Sequence, residues 1–177
     1  MAHFRRKRFT GLLHQQIIFL MDKNPEITFR SATNKDCEKV QKLVFGVLAE
    51  YNLQADPTTT DSDLGDIEKH YINRGGVFEV LEDAEGNLLG TVGLFPIDTE
   101  IVELRKMYFE KALRGKGYGK LTLQRMIAEA RRRGFKRIYL ETNSVLKEAI
   151  HLYEKYGFVP TDEKHAARCD QAYTLNI

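Results

Sequence analysis

Residues 114–120 read RGKGYGK, three glycines and three basic side chains in seven positions. Glycine at that density lets a backbone approach a ligand closely, and the charge beside it selects an anion. The segment lies between an apolar run, ELRKMYF at 103–109, and apolar residues at helical spacing, Leu123, Met126, Ile127 and Ala130. In such a strand, loop and helix, free N–H groups of the loop and of the helix N-terminus converge on a phosphate. Two designs fail on spacing. A P-loop needs GxxxxGK and then Ser or Thr, but the residue five before Gly119 is Arg114 and Leu121 stands at the hydroxyl position. A dinucleotide GxGxxG meets Lys120 when counted from Gly115 and Thr122 when counted from Gly117. What remains is an arginine at 114 followed by glycines at 117 and 119, a loop whose backbone is open to an anion.

Other residues could move protons. Tyr153 lies in LYEKYG, and a phenol, with a reference pKa of about 10, can donate a proton. Tyr156 offers the same group three residues on, closer to the helix stop. Glu103 is a carboxylate on a strand; its reference pKa of about 4.3 makes it a weak base unless raised, so action through a water suits it. Asp61, Asp63, Asp66 and Glu68 would suit a cationic amine, or are solvated acids on a surface helix. HAARCDQ, 165–171, borders the same region. Cys37 and Cys169 are far apart, without the spacing of a metal site or disulfide framework, and a buried, inert thiol is the expectation for Cys169.

The elements that must carry these groups follow from periodicity. EITFR (26–30) alternates as a strand, and Thr33 to Asp36 has the spacing of a capping box. Val40, Leu43, Val44, Val47, Leu48 and Tyr51 recur as one face of a helix. After a turn-rich, acidic stretch a shorter helix is predicted from about Asp63 to Tyr71. GGVFEVLED and LLGTVGLFP flank AEGN as a hairpin, and residues 100–109 add a third strand, so an antiparallel meander is predicted. The helix after the glycine loop stops at Gly134 behind basic residues that complement its dipole. FKRIYLET is a further strand, 144–157 a further helix ending at Gly157, and QAYTLNI a final strand. The order is βα(α)βββαβαβ(β), a mixed α/β domain.

At 177 residues the chain is one domain, able to bury roughly 70% of its unfolded surface. Its 42% hydrophobic and 29% charged residues exclude disordered and collagenous classes. No run approaches the roughly 18 apolar residues of a membrane span, so no membrane partner is expected. A net charge of +2 argues against a polyanion binder, although RRKR (5–8), RRRGFKR (131–137) and the tyrosines outline a competing nucleic-acid surface. Residues 1–24 are expected to be a poorly ordered extension before the domain at 25–177. The cysteine usage fits a reducing cytosol and a cytoplasmic location, with no metal.

The pattern at Arg114, Gly117 and Gly119 resembles the pyrophosphate-binding motif of the GNAT superfamily of N-acetyltransferases. ELRKMYF is similar to that family's fourth strand, ETNSVLKEAIHLYEKYGF to its fifth strand and fourth helix, and the order of elements matches from about residue 26 onward. The resemblance implies an acyl-CoA N-acyltransferase fold, with a mixed, mostly antiparallel sheet flanked by helices. It implies an enzyme that moves an acetyl group from acetyl-CoA to a primary amine by direct attack in a ternary complex. In that picture the backbone of Arg114, Gly115, Lys116, Gly117, Tyr118 and Gly119 holds the pyrophosphate, with Arg114 and Lys116 adding charge. The main chain of Met107, Tyr108 and Phe109 pairs with pantetheine. Asn143 bonds the pantetheine amide, or caps the following helix with Ser144. Tyr153 is the general acid and Glu103 the general base, although a bulge frequent in the family here would change which face of the strand each residue takes. The acceptor is a small-molecule or peptide amine, and the resemblance allows a homodimer. A competing reading is a non-catalytic acyl-CoA-binding or regulatory domain that has lost its base.

Overall fold

The computed structural model describes residues 27–177, so the extension expected over residues 1–24 lies outside the described residues. The expected capping box forms: the Thr33 N–H donates to Asp36 Oδ2 at 2.9 Å, and a short 3-10 turn leads into helix α1, Cys37–Glu50. Helix α1 follows strand β1, Thr28–Ser31, and buries Val40, Leu43, Val44, Val47 and Leu48.

The single helix predicted from Asp63 to Tyr71 is broken. Residues Ser62–Gly65 and Ile72–Arg74 are 3-10 turns, and only Ile67–His70 is α-helical, helix α2. The break is at Asp66, whose backbone is extended at φ −151° and whose carboxylate caps α2 by accepting the Lys69 N–H at 3.0 Å. An Asp side chain offers the backbone this alternative to helix, and here the alternative wins.

Strands β2, Val77–Glu82, and β3, Leu88–Pro96, form the predicted hairpin, with the Asp83 carboxylate holding the N–H groups of Glu85 and Asn87 in the turn. Strand β4, Ile101–Phe109, completes the meander. Helix α3, Tyr118–Arg132, strand β5, Arg137–Thr142, helix α4, Lys147–Lys155, and strands β6, Val159–Thr161, and β7, Gln171–Asn176, follow. The sheet order is β1-β2-β3-β4-β5-β7-β6; β4 and β5 are parallel and every other neighbouring pair is antiparallel. One face buries Val92, Leu94, Leu104, Ile138 and Leu140 against α3 and α4, and the other buries Phe78 and Val80 against α1 and α2.

Strand β4 is not regular. Arg105 pairs with Gly93 and Tyr108 with Thr91, so Lys106 and Met107 together oppose Val92 in a β-bulge. Lys106 has φ +54°, a left-handed conformation that costs an L-residue about 1–2 kcal/mol. The bulge resets the alternation. Strict period 2 groups Glu103 with Arg105 and Met107; in the structure Met107 packs with the Leu104 core, while Tyr108 joins the opposite core.

Gly93 leaves room for Tyr71, which is fully buried and reaches Asp63 through its hydroxyl at 2.5 Å. A Cβ at Gly93 would lie 2.6 Å from Tyr71 Cε1 and 3.1 Å from Phe78 Cδ2. Gly93→Ala is expected to lower stability by about 1–3 kcal/mol through overpacking, read as a shifted urea midpoint with unchanged slope.

Candidate active site

The parallel pairing of β4 with β5 stops at Glu103–Tyr139, although β4 runs on to Phe109 and β5 to Thr142. Beyond that pair the strands frame a cavity of about 820 Å³, lined by β4 from Glu103 to Phe109 on one side and by Glu141, Thr142 and Asn143 on the other. The edge of β4 therefore offers its main chain to the cavity instead of to a neighbouring strand. Such an edge is a template for an extended ligand.

The glycine loop closes one end of this groove. Gly115 at φ +72° and Gly117 at φ +87° need glycine, and Gly117 caps α3 without any side-chain acceptor. The N–H groups of Gly115, Gly117, Tyr118, Gly119 and Lys120 have no backbone acceptor among the described residues. They form a nest at a helix N-terminus, where the dipole also favours an anion. Gly119 is different: a Cβ there would make only ordinary contacts, 3.6 Å to Leu152 and 3.8 Å to Phe109. Protein packing does not demand glycine at 119, whereas close approach of a ligand would. Arg114 is held by the protein, its Nε donating to the Phe109 carbonyl at 2.8 Å and its Nη1 to Glu50 at 2.7 Å; its buried Nη2 has no partner. Lys116, also expected to add charge, is exposed on the loop.

Tyr153 reaches the cavity from α4, its ring 5.7 Å from that of Phe158. Burial, with nearby Tyr108, pushes its phenol well above 10, so it is protonated at neutral pH. Tyr156 sits at the C-terminal end of α4, partly buried against the core. Glu103 is buried at the neck where the two strands part. Burial raises its carboxyl above the ordinary range, opposed by Arg105, whose Nη2 lies 2.6 Å from Oε2. Asn143 does not cap α4, which begins at Lys147 with Leu146 at its N-cap position. Its Oδ1 accepts the Val145 N–H at 3.1 Å in a local turn and its Nδ2 donates to the Arg168 carbonyl at 2.8 Å. That turn also explains why the helix predicted from Ser144 starts late.

Two of the four acids, Asp61 and Asp63, are buried and already engaged, whereas Asp66 and Glu68 stay at the surface. Asp61 is 1% exposed; its carboxylate takes both terminal nitrogens of Arg168, at 2.7 and 2.9 Å, and the Lys106 ammonium at 2.5 Å. Burial pushes its pKa up, but Arg168 and Lys106 outweigh this and hold it well below the usual carboxylate range. Asp63 binds the Tyr71 hydroxyl and lies 3.3 Å from Lys106. Asp66 and Glu68 tie Asn34. Sequence reasoning missed Lys106 and Arg168; the only local signals were a cation amid apolar residues of β4 and one in the loop before β7, and their shared partner Asp61 lies 45 and 107 residues away.

Glu141 was also missed. Its Oε1 accepts the Tyr139 hydroxyl at 2.6 Å and the His165 N–H at 2.8 Å, and its Oε2 accepts the Ala166 N–H at 2.8 Å. It thereby holds the 163–170 segment over the cavity, where His165, Arg168 and Cys169 join the lining. Among the described residues no group of three or more His, Cys, Asp or Glu side chains could hold a metal ion, and no helix is long and apolar enough to cross a membrane.

Residues 46–158 match the model of the Acetyltransferase (GNAT) family. The uncharacterized N-acetyltransferase YjgM of Escherichia coli is 41% identical over 138 residues, 75% of this chain and 82% of that protein. Among solved structures, a GNAT-family acetyltransferase of Staphylococcus aureus superposes with TM-score 0.80 at 25% identity, covering 85% of this chain and 98% of that one. A GNAT phosphinothricin acetyltransferase of Sinorhizobium meliloti, solved with acetyl-CoA, superposes with TM-score 0.67 at 18% identity, covering 86% of this chain and 89% of that one.

Cys169 is half-buried, and its thiol is pushed up to about 11 by burial, with Glu141 adding to the effect. At pH 8 iodoacetamide is expected to label it on the order of 100-fold more slowly than an unperturbed cysteine, because its thiolate fraction is that much smaller. Peptide mass spectrometry over a pH series should show the rate climbing up to about pH 11.

Proposed function

From its membership of the GNAT acetyltransferase family, to which this chain belongs as an acetyl-CoA-dependent acyltransferase, we propose that it transfers an acetyl group to a primary amine by direct attack in a ternary complex. The observation that carries this reading is the groove. An open β4 edge from Leu104 to Phe109 leads to the free N–H groups between Gly115 and Lys120, a rail and an anion nest in one cavity.

The residues fit acetyl-CoA on three counts. The nest suits a pyrophosphate, the main chain of Met107, Tyr108 and Phe109 suits the amides of pantetheine, and Gly119 lacks a side chain where the protein itself would tolerate one. Acetyl-CoA supplies the activated acyl group as a thioester. Arg114, pinned to Glu50 and the Phe109 carbonyl, braces the junction between rail and nest while its free Nη2 adds charge.

Chemistry falls at the other end of the rail. A main-chain N–H at the bulge is a preorganised donor for charge developing on the acetyl oxygen, an effect worth roughly 3 kcal/mol. Tyr153, neutral and poised on the cavity, protonates the departing thiolate. Glu103 takes the proton of the attacking amine, through a water if the distance requires it; its burial suits the role because a raised carboxyl is a better base. The acceptor, a small-molecule or peptide amine, enters from the side of Glu103, Glu141 and His165. Asp61 and Asp63 do not bind it, since both are already engaged inside the protein.

Release of CoA thiol from acetyl-CoA against polyamines, aminoglycosides, amino acids and peptide N-termini is expected with one of these classes. Acetyl-CoA binding with no release against any of them would favour the non-catalytic domain instead. Tyr153→Phe should lower turnover by about 10- to 100-fold while leaving acetyl-CoA affinity unchanged; an undiminished rate removes Tyr153 from the mechanism. Activity should fall as pH drops through the raised pKa of Glu103, since the base must be ionised. Glu103→Gln should lose roughly two orders of magnitude in turnover and that acidic limb with it, and a wild-type pH–rate profile in the variant would place the base elsewhere.

A further inference from the structure

We propose that Lys106 and Asp61 are positioning residues for acetyl transfer: the buried ammonium clamps the bulge of β4 and so fixes the main-chain donor that faces the acetyl group. The inference rests on the reading above that the β4 backbone carries the thioester. It starts from a conformation that the local sequence does not favour. Lys106 is a non-glycine residue at φ +54° inside a strand, and something must hold it there.

Two independent contacts do so. On the side-chain end, Lys106 Nζ donates to Asp61 Oδ1 at 2.5 Å and to the Thr60 carbonyl at 2.9 Å, with Asp63 Oδ1 3.3 Å away. On the main-chain end, the Lys106 carbonyl accepts the hydroxyl of fully buried Thr91 at 2.7 Å. Asp61 cannot follow a shift of Lys106, because Arg168 grips it bidentately and its Oδ2 also accepts the Asp56 N–H at 2.9 Å. A buried ion pair bound at both ends gives one geometry and penalises others, the role in which such pairs are best attested. Here the geometry specified is that of a strained backbone lining the cavity where strands β4 and β5 have already parted.

This separates two properties of Lys106, the charge that clamps and the backbone that is clamped, and substitution can part them. Lys106→Met keeps the stem but loses the clamp, and its backbone still resists φ +54°. Lys106→Gly loses the same charge, yet glycine adopts that conformation without penalty. Steady-state kinetics of folded protein well below its melting temperature should show kcat of Lys106→Met reduced by roughly 30-fold or more, the loss of one preorganised donor. The acceptor KM should stay within about 3-fold, and Lys106→Gly should recover about 10-fold of the loss because its backbone is free to take the bulge. Thr91→Val, which keeps every charge, should lower the same kcat by roughly 3- to 10-fold through the loss of one hydrogen bond.

Equal losses in Lys106→Met and Lys106→Gly would mean that the ammonium acts directly on the reactants, and would overturn the proposal. Wild-type kcat in Lys106→Met would overturn it too. If Lys106→Met does not fold, Thr91→Val decides, and a wild-type kcat there sinks the idea. Calorimetry on the wild-type protein separates this from the parent reading. A wild-type chain that neither binds acetyl-CoA nor releases CoA removes the function itself, whereas an active wild type with indifferent variants removes the clamp alone.

Discussion

A lysine ammonium buried against Asp61 is the constraint on which the rest of the site depends. Without an ionic partner a buried charge of this kind is prohibitively costly, so Lys106 and Asp61 enter the interior together or not at all. Their meeting ties the stretch before α2 to the middle of β4. It also coincides with the bulge, which lies just beyond Glu103, the last β4 residue paired with β5. The groove is thus a consequence of sheet geometry: two parallel strands begin together and part after Glu103, and the bulge follows in the stretch of β4 that β5 leaves open.

The same pair anchors a larger balanced cluster. Asp61, Asp63 and Glu103 face Lys106, Arg105 and Arg168, three carboxylates and three cations shared by three segments distant in sequence. Arg105 also covers the Phe95 ring, 4.1 Å from its centroid, which lowers the cost of holding a guanidinium in a half-buried place. Balance of this kind contributes little net stability against an apolar alternative. What it contributes is register: the 53–66 stretch, strand β4 and the 163–170 segment can meet in only one alignment that pairs every charge.

The stretch proposed to hold the cosubstrate was legible as strand, loop and helix start because it is contiguous. Glu103 to Gly119 holds strand, loop and helix start in seventeen successive residues, and the glycine spacing there is a direct record of backbone geometry. The meander, α1 and the positions of Tyr153 and Glu103 on their elements were legible for the same reason, since periodicity is local. The acid stretch was not. Asp61, Asp63, Asp66 and Glu68 look alike in a composition, and what separates them is partners on β4, on the last loop and at Asn34. The burial of Asp61 and Asp63 is a tertiary fact. The late start of α4 and the interruption at Asp66 share a different cause, short polar side chains that satisfy nearby backbone N–H groups and so compete with the helix.

That division has a consequence for how acceptor choice is set. In the proposed reading the rail and the nest come from one continuous stretch, so a change in any of their residues would act on acetyl-CoA whatever the amine. The side proposed for the acceptor is enclosed by the 53–66 stretch and the 163–170 segment, joined through Asp61 and Arg168, with Glu141 holding the latter to β5. Side-chain substitutions at His165 or Ala166, whose main-chain N–H groups make the contacts to Glu141, alter the lining without disturbing Asp61, and so without releasing Lys106. On that reading acceptor specificity would diverge on a fixed cosubstrate frame, provided that the ion pair at Lys106 is kept.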